Sequence, residues 1–237
     1  MPVDGPTVSL RSNGTEVPAD QIRSSIGDTR AEGSYRMSVE VGLNRNRGEK
    51  VPARARILAV AGELFHRYGI RAVGVEAIAE AADTSKMTLY RHFASKDELI
   101  AEYLRHFAEL ADASCERLEP AEPAQALVQL RAWLAAMADH LNDPDGRGCR
   151  FANAAVELPE KSHPARRVVK EYKTAQRRRL IRLCRAAGLS KPAMLADALS
   201  LLLEGARVTV QSVGRAGLGA RLVRLGEAMI AAHMSKQ

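Results

Sequence analysis

The sequence predicts an all-α protein with a three-helix N-terminal head and a larger helical body. Three observations carry that expectation. Of the 237 residues, 46% are hydrophobic but only 4% are aromatic, so aliphatic side chains and alanine must fill the core, as suits helix packed on helix. From Pro52 onward apolar residues recur every three or four positions, the stripe of an amphipathic helix. No segment alternates with the period of two that a half-buried strand would show.

Residues 1–50 have neither period, are rich in Gly, Ser, Asn, Pro and charge, and are expected to form a disordered extension. Within them Met37 is a candidate native start, and Arg45–Lys50 ("RNRGEK") is a basic arm that serves either as solvated tail charge or as a DNA contact. Order begins near Pro52, a residue at home in a first helical turn. The first helix, Arg54–Tyr68, carries Ile57, Leu58, Ala61, Leu64, Phe65 and Tyr68 on one side, and Gly69 stops it. A short helix over Val75–Ala82 follows, then a second from Thr84 or Ser85 to His92. "SKDE" at Ser95–Glu98 is a capping box, with the Ser95 hydroxyl on the N3 amide and Glu98 reaching back. The helix it opens carries Leu99, Ile100, Tyr103, Leu104, Phe107 and Leu110 and breaks at Glu119–Pro123. Ala124–Leu141 ends at the turn signal "NDPDG". Phe151–Leu158, His163–Ala187, Pro192–Val213 and Ala220–His233 complete the chain. The expected division is an extension (1–50), a head (51–97) and a body (98–237).

Composition narrows the function. Lys plus Arg number 35 against 28 Asp plus Glu, a net charge of +7, which favours polyanions such as nucleic acid. Three dispersed cysteines (Cys115, Cys149 and Cys184) with no C-x-x-C pair argue against a disulfide framework or a structural zinc. No stretch approaches a membrane span and the N-terminus lacks a signal pattern, so a cytosolic protein is expected. No H-E-x-x-H, no acid–His cluster and no Gly-rich phosphate loop is present. Neither catalytic residues nor a cofactor or metal is therefore expected.

The two short helices joined by "DT" read as a helix-turn-helix. Ile78 and Leu89 fall where the two helices share a core, and Ala79 is small where they cross. With Leu89 and Phe93 alone as anchors, the second helix is presented rather than buried. A major groove admits one helix, and Ser85, Lys86, Thr88, Tyr90, Arg91 and His92 supply hydroxyl, ammonium, guanidinium and imidazole groups for phosphates and base edges.

Residues Arg54–Arg105 also resemble the DNA-binding head of TetR-family transcriptional regulators: "A-x-x-LF-x-x-x-G", "IA-x-x-A", "S-K-x-T-LY-x-HF" and "SK-x-EL" occur in order and at that family's spacing. The resemblance implies base and phosphate contacts from Lys86, Met87, Thr88, Tyr90 and His92, and a backbone-phosphate contact from Lys96. Two positions depart from the pattern. Gly74 stands where a capping Ser or Thr is usual, and Asp83 replaces a turn glycine, although Asp tolerates the left-handed conformation better than most residues.

For the body the resemblance implies a ligand cavity among the middle helices and a two-fold pairing through the last two. Trp133, Met137, His140, Phe151, Asn153, Glu157, Tyr172 and Gln211 combine apolar body with polar handles and are the candidate cavity residues. The apolar faces Leu195, Leu199, Leu202, Ala206 and Val210, with Leu222, Leu225 and Met229, exceed what one subunit's core needs, which points to a homodimer. Two presented helices would then read the half-sites of a near-palindrome on double-stranded DNA. The basic helix His163–Ala187 holds nine Lys/Arg against Glu171 alone. It reads as a solvated face partly paired with acids elsewhere, the alternative being a second DNA surface. The function expected is a dimeric repressor released from its operator by an unidentified small molecule; the alternative is an architectural, effector-independent DNA-binding protein.

Overall fold

The computed structural model describes residues 51–116, 122–143 and 147–234. The extension 1–50, with its basic arm and Met37, and residues 144–146 of the "NDPDG" turn lie outside the described residues. Within them the chain is all-helical: α1 (Ala53–Tyr68), α2 (Val75–Ala81), α3 (Lys86–His92), α4 (Lys96–Glu116), α5 (Pro123–Asn142), α6 (Arg150–Glu157), α7 (Pro164–Ala186), α8 (Pro192–Val213) and α9 (Leu218–His233).

The boundaries follow local chemistry. Pro residues open α5, α7 and α8, where the missing N–H has no intrahelical partner to lose. Pro123 therefore starts a helix, whereas the sequence marked it as part of a break. Gly69 ends α1 at φ 91°, a conformation costly for any residue with a Cβ. Ser95 Oγ accepts from the Glu98 amide at 3.1 Å, but the Glu98 carboxylate engages Arg105 instead of completing the capping box. The His163 ring caps α7, its Nδ1 accepting from the Ala165 amide at 3.1 Å. The last helix begins two residues earlier than its apolar period suggests, because Gly217 in the left-handed region starts it.

Two apolar cores hold these helices. The first joins α1–α3 to α4, α6 and the start of α7, with Ile57, Ile78, Leu89, Leu99, Leu104 and Phe151 fully buried. It runs through residue 97 without interruption, so the head shares its packing with the body helices beneath it. The second core packs α5, the end of α7, α8 and α9 around Leu130, Leu134, Leu180, Leu195, Leu199 and Leu222. Gly226 sits where α9 crosses α5, and a Cβ there would lie 2.4 Å from Leu134 Cδ2.

That second core corrects the expected interface. Leu195, Leu199, Ala206, Val210 and Leu222 are buried within their own chain, and Leu202 and Met229 pack against the same core. The period identified an apolar face, but the other helices of the same core, in the same subunit, cover it. Among the described residues of these two helices, the large apolar side chains left outside are Met194, Leu201 (73% exposed), Val208 (65%) and Val213 on α8, with Leu225 on α9, the one residue of the expected set that stays exposed. On α8 the stripe Leu201–Gly205–Val208–Ser212 lies about 150° around the helix from the buried one.

Candidate nucleic-acid interface

The helix-turn-helix is assembled from α1 outward. Ile78 and Leu89 are both fully buried, Ala79 is 3% exposed at the crossing, and Phe93 closes the far end. Asp83 adopts φ 49°, so the turn position uses the left-handed conformation that its side chain tolerates. Gly74 caps α2 with extended backbone and no side-chain bond. Arg56, which sequence reasoning missed, holds the turn in place. Its guanidinium donates to the carbonyls of Ala82 (3.2 Å), Asp83 (3.1 Å) and Val51 (2.9 Å). Arg54 lies over the Phe93 ring at 5.1 Å and pairs with Glu102 at 2.9 Å, tying α1 to α4.

The second short helix, α3, is capped by Ser85, whose Oγ accepts from the Thr88 amide at 3.1 Å. Ser85 also donates its hydroxyl to Thr88 Oγ1 at 3.1 Å. Lys86 pairs with Glu76 of α2, which lowers the Glu76 carboxyl and raises the Lys86 ammonium relative to their ordinary values. Leu89 alone in α3 is buried. The remaining face is open: Met87 is 84% exposed, Tyr90 43%, and Arg91 is exposed, while His92 is half-buried. Ser85, Lys86, Met87, Thr88, Tyr90 and Arg91 line one surface concavity. Lys96, half-buried, is the first residue of α4. Of the eight residues expected at the interface, seven lie on α3 or its N-cap Ser85, and Lys96 opens the next helix.

The candidate cavity residues separate into groups. Phe151 and Tyr172 stack on each other, ring centroids 3.8 Å apart at 10°, in the first core. Trp133 and Met137 pack against the second core. His140 is exposed and its ring contacts the Ala136 carbonyl one turn earlier. Asn153 and Gln211 converge, both donating to the Arg147 carbonyl, at 2.7 and 2.9 Å. Asn153 and Glu157 also line a cavity of about 10 Å³ with His66, Tyr103 and Arg150, room for roughly one water.

That cavity is where body meets head. Glu157 Oε2 accepts from the Arg71 amide at 3.0 Å, holding the loop after α1 to the end of α6. Arg147 caps the C-terminus of α1, donating to the carbonyls of Arg67 (3.0 Å) and His66 (3.4 Å). Arg150 sits 4.5 Å above the Phe107 ring. Burial pushes the His66 imidazole down to about 3, aided by the nearby Arg150 and Arg147 charges, and its Nδ1 is buried without a hydrogen-bond partner. These cations came from a stretch that sequence reading placed in a loop, with no periodic signal to mark them.

On α7, Arg177 pairs with Asp197 (2.5 and 2.8 Å), Lys173 with Glu204 (2.5 Å) and Arg167 with Glu171 (3.8 Å). The expected partial neutralisation by acids on another helix is thus met by α8. Among the described residues, no group of three His, Cys, Asp or Glu side chains is placed to hold a metal ion. None of the described helices is long and apolar enough to cross a membrane.

Comparison with known proteins places this geometry. Residues 57–103 match the family of bacterial regulatory proteins, tetR family. The fold is similar to that of a TetR-family transcriptional regulator from Streptomyces coelicolor, with TM-score 0.70 and 28% identity over 77% of this chain and 96% of that one. It is also similar to a TetR transcriptional regulator from Streptomyces avermitilis, with TM-score 0.63 and 30% identity over 77% of this chain and 98% of that one. Shorter matches differ in regulatory sense. One is the transcriptional repressor KstR2 of Mycobacterium tuberculosis, 38% identical over 27% of this chain and 32% of that protein. Another is the transcriptional activator FasR of Mycolicibacterium smegmatis, 35% identical over 50% of this chain and 55% of that protein.

Proposed function

The chain belongs to the TetR family of bacterial regulatory proteins, and on that premise we propose that it is a homodimeric repressor that a small molecule releases from its operator. The observation that carries this reading is α3, pinned by Leu89 and presenting the rest of its surface outward. Met87, Thr88, Tyr90, Arg91 and His92 face the bases and phosphates of a major groove, with Ser85 and Lys86 at the helix start. Lys96 holds a backbone phosphate beside them. One helix of seven residues makes too few contacts for a unique site, so specificity comes from two copies on a near-palindrome.

The two-fold contact uses the outward stripe of α8 (Leu201, Gly205, Val208 and Ser212) together with Leu225 of α9. Its exposed apolar side chains gain by burial, and Ser212 Oγ is already satisfied by the Val208 carbonyl at 3.0 Å, so closing a partner over it strands no hydroxyl. An effector held among the body helices shifts α6 and the segment before it. Through Arg147 on the end of α1 and Glu157 on the Arg71 amide, that shift re-aims the head. Repression follows where the operator overlaps a promoter.

Gel-shift binding of the purified chain to the DNA immediately upstream of its own gene, with excess non-specific competitor, tests the reading. A shift that survives competitor supports a sequence-reading regulator. A shift erased by competitor points to phosphate contacts alone and overturns it.

A further inference from the structure

We propose that Met87 reads the 5-methyl group of thymine, so that each operator half-site carries a thymine beneath it. The inference rests on the DNA-reading function above and names the base chemistry that this chain selects. Leu89 marks the buried side of α3, fully inaccessible. At about 100° per residue, Met87 and Arg91 each lie about 160° around the helix from Leu89, one turn apart on the outermost line. They are the side chains that enter deepest when α3 docks with Leu89 facing away from the groove.

Their neighbours are already engaged within the head. Lys86 is drawn to Glu76, and the Thr88 and Ser85 hydroxyls bond each other. Met87 differs in kind from every other outward residue of α3. It is apolar, carries no hydrogen-bonding hydrogen, and stands 84% exposed, the most exposed of the large hydrophobic side chains among the described residues. Such a side chain gains nothing from water and cannot pair with a phosphate. In the major groove the one apolar feature that distinguishes base pairs is the thymine methyl. Arg91, beside it, suits the O6 and N7 of a guanine and fixes the register in which the methyl is read.

The test begins by selecting sites for the full-length protein from a randomised duplex library. Each thymine of the selected site is then replaced by deoxyuridine, which removes only the methyl group. The expected result is one thymine per half-site whose replacement weakens binding about fourfold, the loss of one buried methyl, and about 15-fold when both half-sites are changed. Met87→Gln abolishes that sensitivity while keeping the fold, since the side chain touches solvent, and Met87→Leu retains it. A selected site indifferent to deoxyuridine, or equal sensitivity in Met87→Gln, overturns the inference and leaves the DNA-reading function standing. Selection that enriches no sequence overturns both.

Discussion

Acidification to pH 5 should destabilise this protein by about 2 kcal/mol through His66 alone. In the unfolded chain the imidazole titrates near 6.5, whereas in the fold burial and the adjacent Arg150 and Arg147 hold it at about 3. The folded pKa is depressed, so the folded protein refuses a proton that the unfolded chain accepts. Stability therefore falls as pH drops through 6.5 and levels off only near 3. At pH 7 about a quarter of unfolded histidines are protonated and at pH 5 nearly all, while the folded group stays neutral throughout. Integrating about 1.4 kcal/mol per pH unit per proton over that window gives about 2 kcal/mol. The result holds for any folded value at or below about 4. Urea denaturation at pH 7 and pH 5, at one fixed protein concentration, measures it, and His66→Gln isolates it because all other groups titrate in both proteins. His66→Gln should lose about 2 kcal/mol less than the natural sequence between the two pH values. Equal losses would refute the buried junction between α1 and α6 on which the proposed coupling of head to body rests.

Other perturbations test separate parts of the account. Gly226→Ala gains helix propensity of about 1 kcal/mol but forces a Cβ into Leu134, which is itself 2% exposed; a net loss of about 1–2 kcal/mol in thermal denaturation is expected, and a raised Tm would contradict the close α5–α9 crossing. Leu201→Arg with Val208→Arg should yield folded monomers by light scattering and circular dichroism, whereas Leu199→Arg, at a 1% exposed core position, should unfold the body; an intact dimer in the double variant would place the interface elsewhere. Tyr90→Phe with Lys96→Ala should weaken operator binding and lower the salt slope by about one, and an unchanged slope would remove Lys96 from the phosphate contacts.

The head was legible in the sequence because its signals are local. Helix periods, the Ser95 cap and the inward spacing of Ile78 and Leu89 depend on neighbours a few residues away, and the left-handed turn at Asp83 falls where the family pattern has a glycine. The clasp between head and body was not. Arg56 reaches carbonyls 26 and 27 residues on, and Arg147 reaches carbonyls 80 and 81 residues back, contacts that no short-range pattern encodes. On α8 the period located an apolar face correctly but could not say who covers it. Leu195, Leu199 and Val210 met the other helices of their own core, and the apolar surface left exposed includes the weaker stripe of Leu201 and Val208, diluted by Gly205 and Ser212. The candidate cavity residues dispersed for the same reason: amphipathic side chains on middle helices are common, and only tertiary contacts sort stacked core rings such as Phe151 and Tyr172 from the polar group at Asn153 and Glu157.

The most direct test of the central claim is a hydroxyl-radical footprint of the protein on the DNA upstream of its gene. Two copies of α3 held by one dimer predict two symmetry-related protected patches, their centres about 34–36 Å or a multiple of that apart along the duplex, over a near-palindromic sequence. Protection that spreads without register, or a single unpaired patch, would contradict a dimer reading two half-sites.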